Sequence, residues 1–122
     1  MSKTVLVCDD VDEIRMLLKL ALSRFDDLSV IGEAADGDEA IAKAQELAPD
    51  VVLLDVGMPR KSGLEALPEI RACLPAVKVI MLTGFEAGAL WAQARALGAS
   101  DYIEKGTPME EIADRIRAVS SS

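Results

Sequence analysis

Acidic, hydroxyl and amine side chains follow several of the apolar segments that are typical of buried strands in this sequence. Asp9 and Asp10 follow the first segment, Asp55 the third, Thr83 the fourth and Lys105 the fifth. In a parallel α/β sheet the carboxyl ends of the strands lie along one edge, where ligands bind. We therefore expect these five side chains to be neighbours in space.

This set of side chains is suited to binding a divalent cation and a phosphoryl group. Clustered carboxylates repel one another and tend to stay protonated unless a cation compensates them. The chain has no histidine, and hard carboxylate oxygens favour magnesium, which leaves room for phosphoryl oxygens in its shell. Asp55 can then attack phosphorus, while Lys105 and Thr83 interact with oxygens of the transferring group.

Each residue of this set also has a simpler interpretation. An aspartate pair favours the start of a helix, and a single aspartate after a strand is often a turn residue. Taken alone, Thr83 would be a turn hydroxyl and Lys105 a solvated charge. Their joint placement at four strand ends favours a functional site.

The composition is that of one globular domain. The chain has 122 residues, of which 51% are hydrophobic, so it is too apolar for disorder and has the usual domain size. Its uncharged segments are too short to span a membrane, and no basic region precedes an apolar one at the start. We expect a cytoplasmic protein without a membrane partner.

Charge and missing residue types exclude several functions. The net charge of -8 opposes direct nucleic-acid contact by this domain. The absence of histidine excludes histidine acid/base catalysis and histidine phosphotransfer. Cys8 and Cys73 form no metal-spaced pair, and we predict that both are buried thiols.

Hydrophobic periodicity predicts strands that alternate strictly with helices. The predicted strands are residues 3–8, 28–34, 51–54, 77–82 and 100–103. The first helix carries a buried stripe from Ile14 to Phe25 that includes Leu17, and the fourth helix covers residues 86–97. Such alternation predicts right-handed crossovers, a parallel sheet and helices on both faces.

Four signals mark the ends of the predicted helices. Ser62 and Glu65 fit a capping box that begins the third helix, in which Pro68 predicts a bend or a late start. Gly98 suits the cap of the fourth helix. The run Thr107-Pro108-Met109-Glu110 predicts a second capping box, with proline at the first helical position.

The sequence resembles the response-regulator receiver family over residues 3–119. The resemblance is carried by Val5-Leu6-Val7-Cys8-Asp9-Asp10, Asp55-Val56-Gly57-Met58-Pro59 with Gly63, Leu82-Thr83-Gly84 and Tyr102-Ile103-Glu104-Lys105. It implies a doubly wound α/β fold with a five-stranded parallel sheet in the flavodoxin-like order 2-1-3-4-5 and five helices. It further implies a receiver domain over residues 1–119. The three serines at 120–122 are typical of a tail or the start of a linker.

The resemblance implies a role for each residue that matches the family pattern. Asp55 is the implied phosphoacceptor, and Asp10, Asp55 and the Gly57 carbonyl are the implied magnesium ligands, with Asp9 assisting through water. Thr83 and Lys105 are expected to hold the phosphoryl group. The resemblance thus implies a phosphorylation switch and not a metabolic enzyme.

Tyr102 matches the aromatic switch position of the family. It is expected to turn inward when the Thr83 hydroxyl moves toward phosphate, which shifts the face formed by helix four, strand five and helix five. The alternative is a half-buried tyrosine at a sheet edge.

The expected partners also follow from the resemblance. A sensor histidine kinase or phosphotransfer protein is expected to donate the phosphoryl group. Whether phosphorylation leads to a homodimer is left undecided by the resemblance. Gly106 replaces a proline common in the family, so a cis peptide is not expected there. Phe85 and Gly106 look most like receivers that precede a helix-turn-helix output domain, which is missing here.

Three alternative functions use some of the same residue types. An aspartate-nucleophile phosphatase needs a second aspartate where Gly57 stands, and a dinucleotide-binding domain needs a glycine loop where Asp9 and Asp10 stand. A receiver-like module that no longer takes phosphate stays open.

Gly57 and Phe85 lack groups that orient water, so we expect slow loss of phosphate.

Overall fold

The computed structural model describes residues 2–84 and 87–121. Within these residues, five strands alternate with five helices, as the sequence predicts. In chain order the elements are β1 (Lys3–Cys8), α1 (Asp12–Leu22), β2 (Leu28–Ala34), α2 (Gly37–Leu47), β3 (Val51–Leu54), α3 (Gly63–Cys73), β4 (Lys78–Thr83), α4 (Ala87–Ala96), β5 (Asp101–Glu104) and α5 (Met109–Ser120).

The strands form one parallel sheet in the order β2-β1-β3-β4-β5. This order confirms the predicted doubly wound α/β fold. The first three strands have the predicted bounds, whereas β4 and β5 each lie one residue later in the chain than predicted. All four residues of β3 are buried, because a central parallel strand is covered by helices on both faces.

The two faces of the sheet belong to two separate hydrophobic clusters. Side chains alternate along β1, so Leu6 and Cys8 pack with residues of α2, α3 and α4, while Val5 and Val7 pack with α1 and α5. Each fully buried aliphatic side chain of this kind contributes about 1.5–3 kcal/mol to folding. The sheet is therefore a rigid support for groups at its edge.

Two residues predicted to be buried are exposed. Leu17 is 56% exposed, because α1 contacts the sheet along the narrower stripe that contains Leu18 and Leu22. Cys73 is also exposed. It is the last residue of α3, beyond Ile70, the last buried residue of that helix.

The capping box predicted for α3 is confirmed, and the one predicted for α5 is wrong. The Ser62–Glu65 capping box is present, and α3 begins at Gly63, directly after the N-cap Ser62. The helix contains Pro68, so the late start predicted as one alternative does not occur. The predicted box at Thr107 does not form, because its hydroxyl donates to the Glu104 carbonyl and Pro108 takes the N-cap position. Gly98 has the positive φ of +110° that favours glycine.

The remaining predictions concern where α4 begins, where α5 ends and whether any helix could span a membrane. Helix α4 begins at Ala87, and Glu86, where it was predicted to begin, lies outside the described residues. Helix α5 continues to Ser120, one residue into the predicted tail. Within residues 2–84 and 87–121, no helix has the length and apolar character needed to cross a membrane.

Candidate functional site

Three carboxylates meet where β1 and β3 end. Asp9, Asp10 and Asp55 each place an oxygen within 4.8 Å of the others. The parallel register brings the two strand ends together, and the Asp55 amide donates to the Cys8 carbonyl at 3.0 Å. Asp9 and Asp55 are only 2% and 4% exposed, while Asp10 is open to solvent. The predicted proximity of these three residues is therefore confirmed.

Lys105 lies between the two buried carboxylates. Its Nζ atom is 2.7 Å from Asp9 Oδ2 and 3.2 Å from Asp55 Oδ2. Burial of Lys105 lowers its pKa, but hydrogen bonds to Asp9 and the Asp55 charge outweigh burial and raise the pKa overall. The lysine is therefore charged and compensates part of the negative charge.

Lys105 does not fully compensate the negative charge around Asp55. Burial raises the pKa of the Asp55 carboxyl, the negative charge of Asp9 raises it further, and Lys105 only partly offsets both. Two buried carboxylates with one cation leave a site that favours a further positive charge.

The β3–α3 loop brings main-chain groups close to Asp55. The Gly57 amide donates to Asp55 Oδ1 at 3.3 Å, and Gly57 itself is exposed. The start of α3 packs so tightly that a Cβ atom at Gly63 would overlap the Asp55 carbonyl oxygen. Glycine at position 63 is therefore required by this close approach.

Thr83 and Lys105 come from neighbouring strand ends. Thr83 is fully buried at the end of β4, next to Glu104 in the register with β5. The Lys105 amide donates to the Thr83 carbonyl at 2.8 Å. The fold thus places Thr83 along the same edge as the carboxylates, while its role toward a phosphoryl group stays a prediction.

Tyr102 is buried rather than half-buried. It is 4% exposed, and its ring tilts by 59° against Trp91 with 6.3 Å between the centroids. Its hydroxyl has no hydrogen-bond partner among the described residues. Burial raises the pKa of this hydroxyl, and the charges of Glu104 and Asp55 add to the effect. The half-burial assumed in the alternative is therefore wrong, whereas its sheet-edge position is right, since β5 is an edge strand. The predicted switch role is untested.

Sequence reasoning missed Arg15, which contacts the loop that carries Asp9 and Asp10. Its Nη1 atom donates to the Asp9 carbonyl at 2.6 Å, and its Nε atom donates to Glu33 Oε1 at 2.8 Å. The available signal was its position as the first basic residue after an acidic run of four in five residues from Asp9 to Glu13.

The donor set fits magnesium. All candidate ligands are oxygens, and the nearby Cys8 is not a competing thiolate, because burial raises the pKa of its thiol well above the usual range. Hard oxygen ligands with an exposed carboxylate at the rim suit a cation that keeps several waters. Asp9, Asp10, Asp55 and the Gly57 carbonyl are the groups that would hold it.

Comparison with known families identifies the family of this chain. The family model described as the response regulator receiver domain matches residues 5–117. This chain belongs to that family. Phe85, a residue used to predict the subfamily and phosphate lifetime, lies outside the described part of the receiver.

Individual relatives agree with this assignment. The response regulator protein VraR of Staphylococcus aureus is 42% identical over 120 residues, covering 98% of this receiver and 57% of VraR. The receiver therefore spans little more than half the length of this curated relative.

Two solved structures are similar over nearly the whole receiver. A DNA-binding response regulator of the LuxR family from Staphylococcus aureus has a TM-score of 0.89 and 27% identity, covering 97% of this chain and 98% of that chain. The CheX-CheY-BeF3-Mg+2 complex from Borrelia burgdorferi has a TM-score of 0.89 and 27% identity, covering 96% and 88%. The first confirms the predicted similarity to receivers of DNA-binding regulators.

Proposed function

We propose that this receiver of two-component signal transduction accepts a phosphoryl group on Asp55 in a magnesium-dependent reaction. The donor is a phosphohistidine of a sensor histidine kinase or phosphotransfer protein. The observation that carries the proposal is the pair of buried carboxylates, Asp9 and Asp55, that share Lys105 beside exposed Asp10. The receiver acts as a switch and not as a metabolic enzyme.

Asp55 is the carboxylate of the site that is best able to act as the nucleophile. Asp9 is held at both oxygens, since Oδ1 accepts from the Val11 amide at 2.9 Å and Oδ2 contacts Lys105 at 2.7 Å. Both contacts of Asp55 are longer, at 3.3 Å from the Gly57 amide and 3.2 Å from Lys105. Asp55 therefore gives up weaker contacts than Asp9 would when one of its oxygens bonds to phosphorus.

The transfer exchanges one bond to phosphorus for another. An Asp55 oxygen forms the new oxygen–phosphorus bond, the donor's nitrogen–phosphorus bond breaks, and the histidine ring leaves with the bonding electron pair and is protonated by solvent. Lys105, already beside Asp55, offsets charge on the phosphoryl oxygens, and the Thr83 hydroxyl donates a hydrogen bond to one of them. Magnesium, when bound, supplies further positive charge at these oxygens.

Phosphorylation then changes the face formed by α4, β5 and α5. A phosphoryl group shifts a conformational equilibrium only if it binds one state better, and its contact with Thr83 supplies that difference. Tyr102 is the responsive residue, since its buried hydroxyl lacks a partner among the described residues. An inward and an outward tyrosine would present different surfaces to a partner.

The output that we propose is control of transcription through a DNA-binding domain. Two observations support it: the similarity to a LuxR-family DNA-binding regulator and the part of VraR's length that this receiver does not span. A homodimer formed on phosphorylation is compatible with this output. The cytoplasmic location inferred from the sequence stays a prediction.

The test is the intact mass of the receiver after incubation with acetyl phosphate. With magnesium present, we expect a gain of one phosphoryl group, and with a chelator or in Asp55→Asn we expect none. Asp50→Asn is the matched control, because Asp50 lies at the opposite end of the sheet, bonded to Thr4. An unlabelled wild-type receiver, or label retained in Asp55→Asn, would contradict the proposal.

A further inference from the structure

We infer that Arg15 is a positioning residue that fixes the Asp9–Asp10 peptide in the orientation needed to bind a cation. The inference rests on the proposed function for the nature of that cation site. Arg15 does not touch the reacting atoms, and it acts through the main chain of the β1–α1 loop.

The Arg15 side chain bridges the sheet and the loop. It lies in α1, its side chain is only 12% exposed, and its guanidinium bonds to three acceptors. Nη1 donates to the Asp9 carbonyl at 2.6 Å, Nε donates to Glu33 at 2.8 Å, and Nη2 donates to Asp12. The planar guanidinium therefore fixes the direction from which it reaches the loop.

Glu33 anchors the guanidinium on the rigid side. It lies in β2 directly beside Val7 in the sheet register, close to the end of β1. Its second carboxylate oxygen accepts from Lys19 Nζ at 2.5 Å. Glu33 is therefore held by the sheet and by two cations, and Arg15 transmits this fixed position to the Asp9 carbonyl.

The Asp9 carbonyl is the group whose position decides where Asp10 points. The carbonyl of Asp9 and the amide nitrogen of Asp10 belong to one planar peptide unit, so fixing the carbonyl fixes the rotation of that unit. Asp10 follows it and is exposed, so few packing contacts hold its side chain. A hydrogen bond from Arg15 compensates for that missing packing.

Charge and position predict opposite effects of removing Arg15. A nearby positive charge repels a cation, so by Coulomb's law alone Arg15→Ala should bind magnesium more tightly than wild type. If Arg15 orients the peptide of the metal site, the same variant should bind magnesium more weakly. The sign of the change in affinity therefore separates the two roles.

The first measurement is calorimetric titration with magnesium chloride at fixed ionic strength. We expect Arg15→Ala to weaken binding by about 10-fold, as outer-shell substitutions commonly do. Arg15→Lys keeps the charge but cannot form the same fork, so it should also bind more weakly than wild type. Equal or tighter binding by Arg15→Ala would overturn the inference.

Arg117→Ala is the matched control. Arg117 also forms two bonds to a carboxylate, at 2.6 Å and 2.9 Å to Asp27, next to the amino end of the sheet. It should leave magnesium affinity unchanged. A loss of affinity as large as that of Arg15→Ala would show a general effect of losing an ion pair, and would overturn the positioning role.

A second measurement needs no metal. The Val11 amide donates to Asp9 Oδ1, and the Asp55 amide donates to the Cys8 carbonyl at 3.0 Å. In Arg15→Ala, hydrogen exchange should become faster at Val11 and stay unchanged at Asp55, because only the loop is released. Equal acceleration at both amides would indicate global destabilisation and contradict the inference.

The outcomes distinguish this inference from the proposed function. A wild-type receiver that neither binds magnesium nor takes a phosphoryl group would refute the proposed function. A wild-type receiver that does both, with unchanged affinity in Arg15→Ala, would refute the positioning role alone.

Discussion

The carboxylates at the two ends of the sheet have different interaction partners. At the amino end, Asp50 Oδ2 accepts from the Thr4 amide at 2.8 Å and from the Thr4 hydroxyl at 3.1 Å, while the Asp50 amide donates to that hydroxyl at 2.9 Å. At the carboxyl end, buried Asp9 and Asp55 face each other and share one lysine. One end satisfies a carboxylate with neutral donors, and the other concentrates negative charge.

This difference separates a structural from a functional use of the same residue type. An exposed carboxylate that accepts from backbone and hydroxyl donors stabilises the fold. Buried carboxylates of like charge destabilise it unless a cation is added. The carboxyl end therefore sacrifices stability for binding, as functional sites commonly do.

The largest effect, a complete loss of phosphoryl labelling, is expected from Asp55→Asn, which removes one of the two buried charges. It should abolish phosphoryl labelling and also raise the free energy of unfolding in metal-free buffer by about 1 kcal/mol, because the repulsion with Asp9 is lost. Intact mass and urea unfolding measure the two effects. A variant that is clearly less stable than wild type would break the comparison between the two ends.

The largest change in stability is expected from Lys105→Met, which leaves Asp9 and Asp55 without their cation. The free energy of unfolding without metal should fall by about 2 kcal/mol, because an uncompensated buried charge remains. Magnesium should restore more stability to this variant than it adds to wild type. Urea unfolding with and without magnesium chloride measures both.

Lys61→Met is the control for that variant. Lys61 also lies between two carboxylates, at 3.4 Å from Asp38 and 2.5 Å from Glu69, but both of those side chains are more than half exposed. Its loss should lower the free energy of unfolding much less than the loss of Lys105 does, and the change should not depend on magnesium. Similar losses in the two variants would mean that burial of Asp9 and Asp55 is not what makes their charge costly.

At the amino end, Asp50→Ala should destabilise without affecting function. It removes the acceptor of the Thr4 amide and hydroxyl, at a cost of about 1 kcal/mol. The rate of labelling by acetyl phosphate should stay close to that of wild type. A marked loss of labelling at a temperature where the variant is folded would show that the two ends are coupled.

The smallest effect is expected from Arg60→Gly, near the carboxyl end. Arg60 has a positive φ of 64° and bonds to the buried Asp36 at 3.1 Å. Glycine relieves about 1 kcal/mol of backbone strain, and the loss of the ion pair, whose guanidinium is exposed, opposes that gain. The midpoint of urea unfolding should hardly move, whereas a large loss would show that this pair stabilises the loop after Asp55.

The sheet and the residues at its edge were predictable because their signals agree. The strand Val51–Leu54 is a continuous apolar run that ends at Asp55, and a parallel sheet has only one edge for the groups that follow its strands. The proximity of Asp9, Asp10 and Asp55 follows from that topology.

Features that depend on tertiary competition were not predictable. The Ser62 capping box forms, whereas the equivalent Thr107 hydroxyl donates to the Glu104 carbonyl in the preceding turn. Leu17 was placed in the buried stripe because sequence periodicity cannot show how narrow the contact of α1 is. Arg15 was missed because its acceptors, Glu33 and the Asp9 carbonyl, are brought to it only by the fold.

The contrast between the two cysteines has a practical consequence for thiol chemistry. Cys8 lies buried directly before Asp9 with a raised pKa, so it is a poor nucleophile and out of reach of reagents. Cys73 is exposed at the end of α3, beside the Gln45 amide. A maleimide dye should therefore attach to Cys73 alone, which provides a fluorescent handle on the natural sequence without altering any carboxylate of the site.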